Sequence, residues 1–150
     1  MRWLSRPEDR AWRGYRRMRT LLDLRLARDL AQHSGLSEPD YDVLSTLTER
    51  PDSQWRASEL ATHLLWSSSR LAHHVGRMER RGLVRRMPCE DDGRGALITL
   101  TDHGQTVLEH AAPGHVESVR RNFVDLLTLG EITTLAAIAE KVTTHLNPGD

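Results

Sequence analysis

The chain has a single cysteine, Cys89, so it cannot form an internal disulfide. It has a single lysine, Lys141, and every other formally cationic side chain is an arginine. No apolar run is long enough to span a membrane. Residues 1–19 are rich in Arg and Trp but lack the apolar segment of a signal peptide. These absences predict a cytoplasmic protein without membrane contact. Internal repeats, linkers and low-complexity segments are also missing. The formal net charge is zero, which at first argues against a nucleic-acid partner.

That zero hides a strong segregation. Residues 1–28 carry nine arginines against three acids, a net of +6. Residues 29–65 carry two against seven, a net of −5. Residues 66–86 carry six arginines against Glu79 alone, a net of +5, and residues 87–150 carry four cations against ten acids, a net of −6. A local field, rather than the total, governs attraction to phosphate. Arg in place of Lys supplies a planar fork that matches guanine and phosphate, although a compositional bias of the genome toward Arg explains the substitution equally well.

Apolar spacing divides the chain into helices and three short strands. Pro7, Glu8 and Asp9 suit the first turn of a long helix that Gly35 stops. Its apolar residues, among them Leu21, Leu22, Leu24 and Leu26, lie on more than one side, as in a helix covered by a second chain. Ser37 is the expected cap of a second helix with Tyr41, Leu44 and Leu47 inward. Residues 55–57 read as a short strand, and Ser58 as the cap of a third helix. Ser67 suits the cap of a fourth helix that Gly82 ends. Residues 83–87 and 96–100 read as paired strands around a charged tip, CEDDGRG. Thr101 then caps a long helix in which Ala112-Pro113-Gly114 predicts a kink or a break. Thr128 and Glu131 match a capping box before a final helix with Ile132, Leu135, Ala139, Val142 and Leu146 on one face.

The fold this order predicts is mainly α with a small β-wing, a winged helix-turn-helix flanked by N- and C-terminal helices. We read one domain over residues 1–150, with a DNA-binding lobe at 38–100 and a helical lobe at 7–34 and 101–146. In the fourth helix Leu71, Val75 and Met78 share a face. Ser69, His73, Gly76, Arg77 and Arg80 fall opposite, with Arg70 on the flank. The candidate DNA-contacting set is Ser67, Ser68, Ser69, Arg70, His73, His74, Arg77, Arg80, Arg86, Asp92 and Arg94. Arg bidentate to guanine is the commonest specific contact in the major groove, and amides at a helix start hold phosphate. Spacing alone does not say which of Arg70, His73 and Arg77 reads a base. Arg80, Arg85 and Arg86 suit the DNA backbone or an acidic partner. Arg94, between two glycines, suits a narrow minor groove of high negative potential. Asp92 suits the orientation of a nearby Arg, since phosphate repels it.

The strings ASELATHLLWSSSRLAHHVGRMERRGLVRR, DDGRG and ITLTDHG, in that order, resemble the MarR (multiple antibiotic resistance regulator) family of transcription factors. The resemblance covers nearly the whole chain, and the wing Asp-x-Arg followed by Leu-Thr-x-x-Gly is its most specific part. It implies a homodimer joined by N- and C-terminal dimerisation helices, with 7–34 and 101–146 as the dimerisation lobe, on a pseudo-palindromic duplex, usually a repressor, released by a small molecule or an oxidant. It maps the wing arginine onto Arg94 and the wing aspartate onto Asp92. It implies an effector site beside the first helix, where Trp12, Tyr15 and Arg19 share a face suited to an aromatic anion; core and dimer packing explains the two aromatics equally well. The family's peroxide sensors carry their cysteine in the first helix, where this chain has none. His103, His110 and His115 do not converge, because Pro113-Gly114 falls among them, so neither a metal nor another cofactor is expected. A serine nucleophile would need a base and an oxyanion site in a pocket, and the serines here adjoin a basic exposed helix, so an enzyme is not expected. The rival is a winged domain used to bind another protein, or a DNA binder without an effector.

Overall fold

The computed structural model describes residues 1–89 and 95–147. Asp92 and Arg94 lie outside the described residues. The elements run α1 (Arg6–Ser34), α2 (Glu38–Leu47), β1 (Gln54–Arg56), α3 (Ala57–Leu64), α4 (Ser68–Arg80), β2 (Val84–Pro88), β3 (Ala96–Leu100), α5 (Asp102–Asn122), a 3-10 turn (Val124–Leu126) and α6 (Leu129–Leu146).

Local chemistry accounts for most helix starts. Ser37 caps α2 in a capping box: its hydroxyl accepts from the Asp40 amide at 3.2 Å, and Asp40 accepts from the Ser37 amide at 3.0 Å. Ser67 caps α4, accepting from the Arg70 amide at 3.1 Å. Thr128 and Glu131 form the same reciprocal pair at the start of α6. Ser58 is not the cap of α3. The cap is Arg56, the last residue of β1, and it makes no side-chain cap bond. β1 stays paired with β3 through Arg56 opposite Leu97, so strand runs directly into helix and leaves no room for a serine cap. Pro113 lies inside α5, which runs unbroken through it. The helix forgoes one backbone bond there and continues on the remainder.

Three antiparallel strands pair in the order β1-β3-β2. Trp55 faces Ile98, which faces Arg86. The Cys89 amide donates to Gly95 O at 3.0 Å and extends the ladder toward the tip.

The chain divides into two compact units, residues 1–26 with 116–150 and residues 27–115. The division falls inside α1 and α5. Leu30, Leu36, Leu108 and Ala111 are the reason, since all four are buried in the core of the winged unit. That core joins α2, α3, α4 and the sheet through Leu44, Leu60, Leu71, Val75, Met78 and Ile98. Burying each such side chain contributes roughly 1.5–3 kcal/mol. In the other unit α6 has no buried residue at all, and Leu129, Ile138, Val142 and Leu146 stand exposed.

The turn between α3 and α4 carries a local cost. Leu65 closes α3 in the left-handed region, φ 57°, with its side chain 87% exposed. Asn adopts that conformation more readily than a branched residue. Leu65→Asn is expected to raise unfolding free energy by about 1 kcal/mol, measured by urea denaturation. A loss of stability would show that the leucine side chain is covered in the assembled protein.

Candidate nucleic-acid interface

α4 is a helix with two chemically different faces. Leu71, His74, Val75 and Met78 are buried, and Ser68, Ser69, Arg70, His73, Arg77 and Arg80 are exposed. Ser67 is exposed beside its first turn. The 100° period of a helix sorts them this way. Arg70 lies over the Trp66 ring, its guanidinium carbon 4.2 Å from the centroid, and this contact braces the start of the helix.

The one acid in α4 is turned to another task. Glu79 accepts from the Arg86 amide at 2.8 Å and lies 3.6 Å from the Arg86 guanidinium. Arg86, a sequence candidate for DNA, is thereby tied to α4, and its guanidinium also reaches Ala72 O at 3.5 Å. These contacts hold β2 against the helix. They leave the field of Arg70, Arg77 and Arg80 uncompensated by any acid of α4 itself.

His74 is a correction. It belongs to the candidate DNA set by sequence, yet it is only 8% exposed and packs inward. Its Nε2 lies 3.0 Å from Asp40 Oδ1, and its Nδ1 lies 3.0 Å from Arg77 Nη2. Asp40 is itself buried, and its other oxygen accepts from Arg81 Nη1 at 2.8 Å. Burial alone would raise the Asp40 pKa, but the Ser37 amide and Arg81 outweigh it and hold the carboxyl below its ordinary 3.8. Sequence reading missed Asp40 and Arg81. Ser37 followed three residues later by Asp signals a cap, but nothing local shows that the carboxylate also receives two side chains from α4 and its end.

The wing root is built on Thr101 and Gly104. The Thr101 hydroxyl reaches Gly82 O at 2.5 Å and Leu83 O at 3.0 Å, and accepts from the Gly104 amide at 2.9 Å. A Cβ on Gly104 would overlap the Leu83 carbonyl. The Leu-Thr-x-x-Gly string is therefore the joint between α4's end and α5. A crevice of about 330 Å³ opens between α4 and the sheet, with Arg56, Leu71, Arg86 and the buried Cys89 among its walls.

Trp12, Tyr15 and Arg19 form an exposed ladder on α1. The two rings stack at 5.9 Å, and the Arg19 guanidinium carbon lies 5.8 Å from the Tyr15 centroid. His103 and His110 are exposed, whereas His115 is half-buried against Tyr41 at 4.4 Å between ring centroids. Among the described residues no group of His, Cys, Asp and Glu is arranged to hold a metal ion, and no single helix is long and apolar enough to cross a membrane.

A sequence model of the MarR family matches residues 36–95, from the end of α1's loop to the edge of β3. AbsC, a MarR family transcriptional regulator from Streptomyces coelicolor, is 41% identical, with 99% of this chain and 100% of AbsC covered and a TM-score of 0.94. The chain belongs to the MarR family. Sco3205, a MarR family transcriptional regulator from the same organism solved in complex with DNA, is 39% identical, with 100% and 94% covered and a TM-score of 0.95. The HTH-type transcriptional regulator PecS of Dickeya dadantii is 31% identical over 131 residues, 87% of this chain and 78% of PecS. This MarR-family protein is thus a DNA-binding transcriptional regulator whose relatives are named regulators and not enzymes.

Proposed function

We propose that this MarR-family regulator is a homodimeric repressor that binds a pseudo-palindromic duplex and is released by a small-molecule effector. α4 enters the major groove, and Arg94 of the wing enters the minor groove. The observation that carries this reading is the exposed cationic face of α4, whose one acid is engaged with Arg86. Ser67, Ser68 and Ser69 suit phosphate, and Arg70, His73, Arg77 and Arg80 suit base edges or backbone. Two copies place their α4 helices about one helical turn, ~34 Å, apart. The exposed apolar faces of α1 and α6 support the dimer. The stacked Trp12, Tyr15 and Arg19 support an aromatic anion as effector, acting by a shift between conformers of unequal DNA affinity.

The test is binding of the purified protein to DNA upstream of its own gene and to random duplex, across roughly 50–200 mM salt. A preference of about 10³ or more with a steep salt slope is expected. Equal, weak and salt-insensitive binding to both would favour a protein-binding role for the winged unit. Arg94→Ala is expected to weaken binding to all duplexes and to flatten the log–log salt slope by about one. An unchanged slope and affinity would remove the wing from the interface.

A further inference from the structure

We propose that His74, held by Asp40, is the positioning residue for Arg77: it fixes the guanidinium on the outer face of α4 before DNA arrives and so sets how well the protein discriminates its site. This rests on the DNA-binding reading above. It adds a residue with no access to DNA to the determinants of specificity, and it makes discrimination sensitive to protons.

The geometry fixes the chemistry. A guanidinium has only donors, so the Nδ1 it approaches at 3.0 Å must carry the lone pair. The proton of the neutral ring then sits on Nε2, which lies 3.0 Å from Asp40 Oδ1 at an angle too bent for a regular hydrogen bond, so the carboxylate acts on it chiefly as a nearby charge. Asp40 cannot turn away, because Ser37 and Arg81 occupy its other oxygen at 3.0 and 2.8 Å. The imidazole is confined as well: Trp66 meets it edge-on, centroids 5.5 Å apart at 85°. A chain of contacts thus runs from the α2 cap through carboxylate and imidazole to an exposed guanidinium. One guanidinium nitrogen is engaged by the ring, and the rest of the fork is left for the duplex. A long side chain ordered in advance loses less freedom on binding.

The groups that face His74 are Asp40 from α2 and Arg70 and Arg77 from α4, with Arg81 on the same carboxylate. Burial first, then Arg77 and Arg70, lower its pKa below the ordinary 6.5 against the opposing pull of Asp40. At neutral pH the ring is the neutral acceptor that Arg77 requires. Protonation below the ordinary value turns Nδ1 into a donor facing a donor, and Arg77 loses its anchor. Positive charge gained elsewhere on the protein in acid strengthens binding to every duplex. The informative quantity is therefore the ratio of affinities and not either affinity alone.

The probes are a duplex enriched by the unmodified protein from a randomised library and a random duplex, compared in a pH series from about 7.5 down to the most acid condition at which melting curves still show a folded protein. The preference of the unmodified protein is expected to fall as the pH drops below the ordinary imidazole range, toward a limit about tenfold lower, the size of one lost base contact. His74→Gln retains an acceptor that does not ionise, and its preference is expected to hold across the series. His74→Leu is expected to lose about tenfold at neutral pH, as Arg77→Ala does, and the double variant no more than either alone. Melting curves confirm which variants fold, and the pH profile of His74→Gln decides the matter if His74→Leu does not. A folded His74→Leu with full preference, or a His74→Gln profile as steep as that of the unmodified protein, overturns the proposal alone. Failure of the unmodified protein to prefer its enriched duplex overturns the DNA-binding reading and this proposal with it.

Discussion

Ile138→Asp combined with Val142→Asp is expected to leave a monomer of 17.1 kDa and to weaken binding to a two-half-site duplex by about 10² or more. α6 is 18 residues long and has no buried side chain within its own chain, while Ile138 and Val142 stand 53% and 48% exposed. Most of the stability of a helix in a protein comes from packing its apolar face. Leu21 and Leu24 of α1 are similarly uncovered, at 51% and 62%. In the proposed dimer a second copy of the same surface would remove this area from water at roughly 25 cal/mol per Å², and two carboxylates at its centre would reverse the gain. Once the copies separate, each winged unit must find its half-site alone and the effective concentration supplied by its twin disappears. Light scattering with a salt-matched binding titration checks both halves of the prediction. A variant that stays dimeric would move the interface away from α6.

Gly104→Ala is expected to destabilise the protein by about 1–3 kcal/mol through overpacking. The added methyl meets a backbone carbonyl, Leu83 O, which is already drawn in by the Thr101 hydroxyl. A flexible side chain could step aside, but a carbonyl held between a strand and a helix start cannot do so without moving one of them. At about 2–4 °C per kcal/mol for a chain of this size, the melting temperature is expected to fall by several degrees. An unchanged melting temperature would mean that α5 slides to admit a methyl at no cost, and the joint at Thr101 would not be rigid.

The legible parts of this protein are those decided within a few residues. Ser37, Ser67 and Thr128 cap helices because each hydroxyl meets an amide three positions on. The outer face of α4 follows from its period, and the β3 strand from its apolar run between turn chemistry and Thr101. Family resemblance added what periodicity could not, the expectation of a second copy of the chain. The illegible parts are those set by distant partners. His74 falls on the inner face of α4 by period, three residues after Leu71 and four before Met78, but nothing local shows that Asp40 of α2 meets it there. Arg81, 41 residues from Asp40, is likewise invisible to any local pattern. Serine propensity pointed to Ser58 as a cap, but sheet pairing extended to Arg56 and took precedence. The two compact units divide inside α1 and α5 because helices end where their backbone bonds end, whereas units end where packing does.

Asp40 caps α2, receives Arg81 and faces the imidazole that holds Arg77, yet it is only 3% exposed. A genetic selection for mutants that no longer regulate would therefore recover this interior carboxylate alongside the arginines of the outer face. Suppressors of such a mutant would arise on two helices at once. Hence a survey that ranked positions by their access to DNA would overlook the residue at which folding and recognition are inherited together.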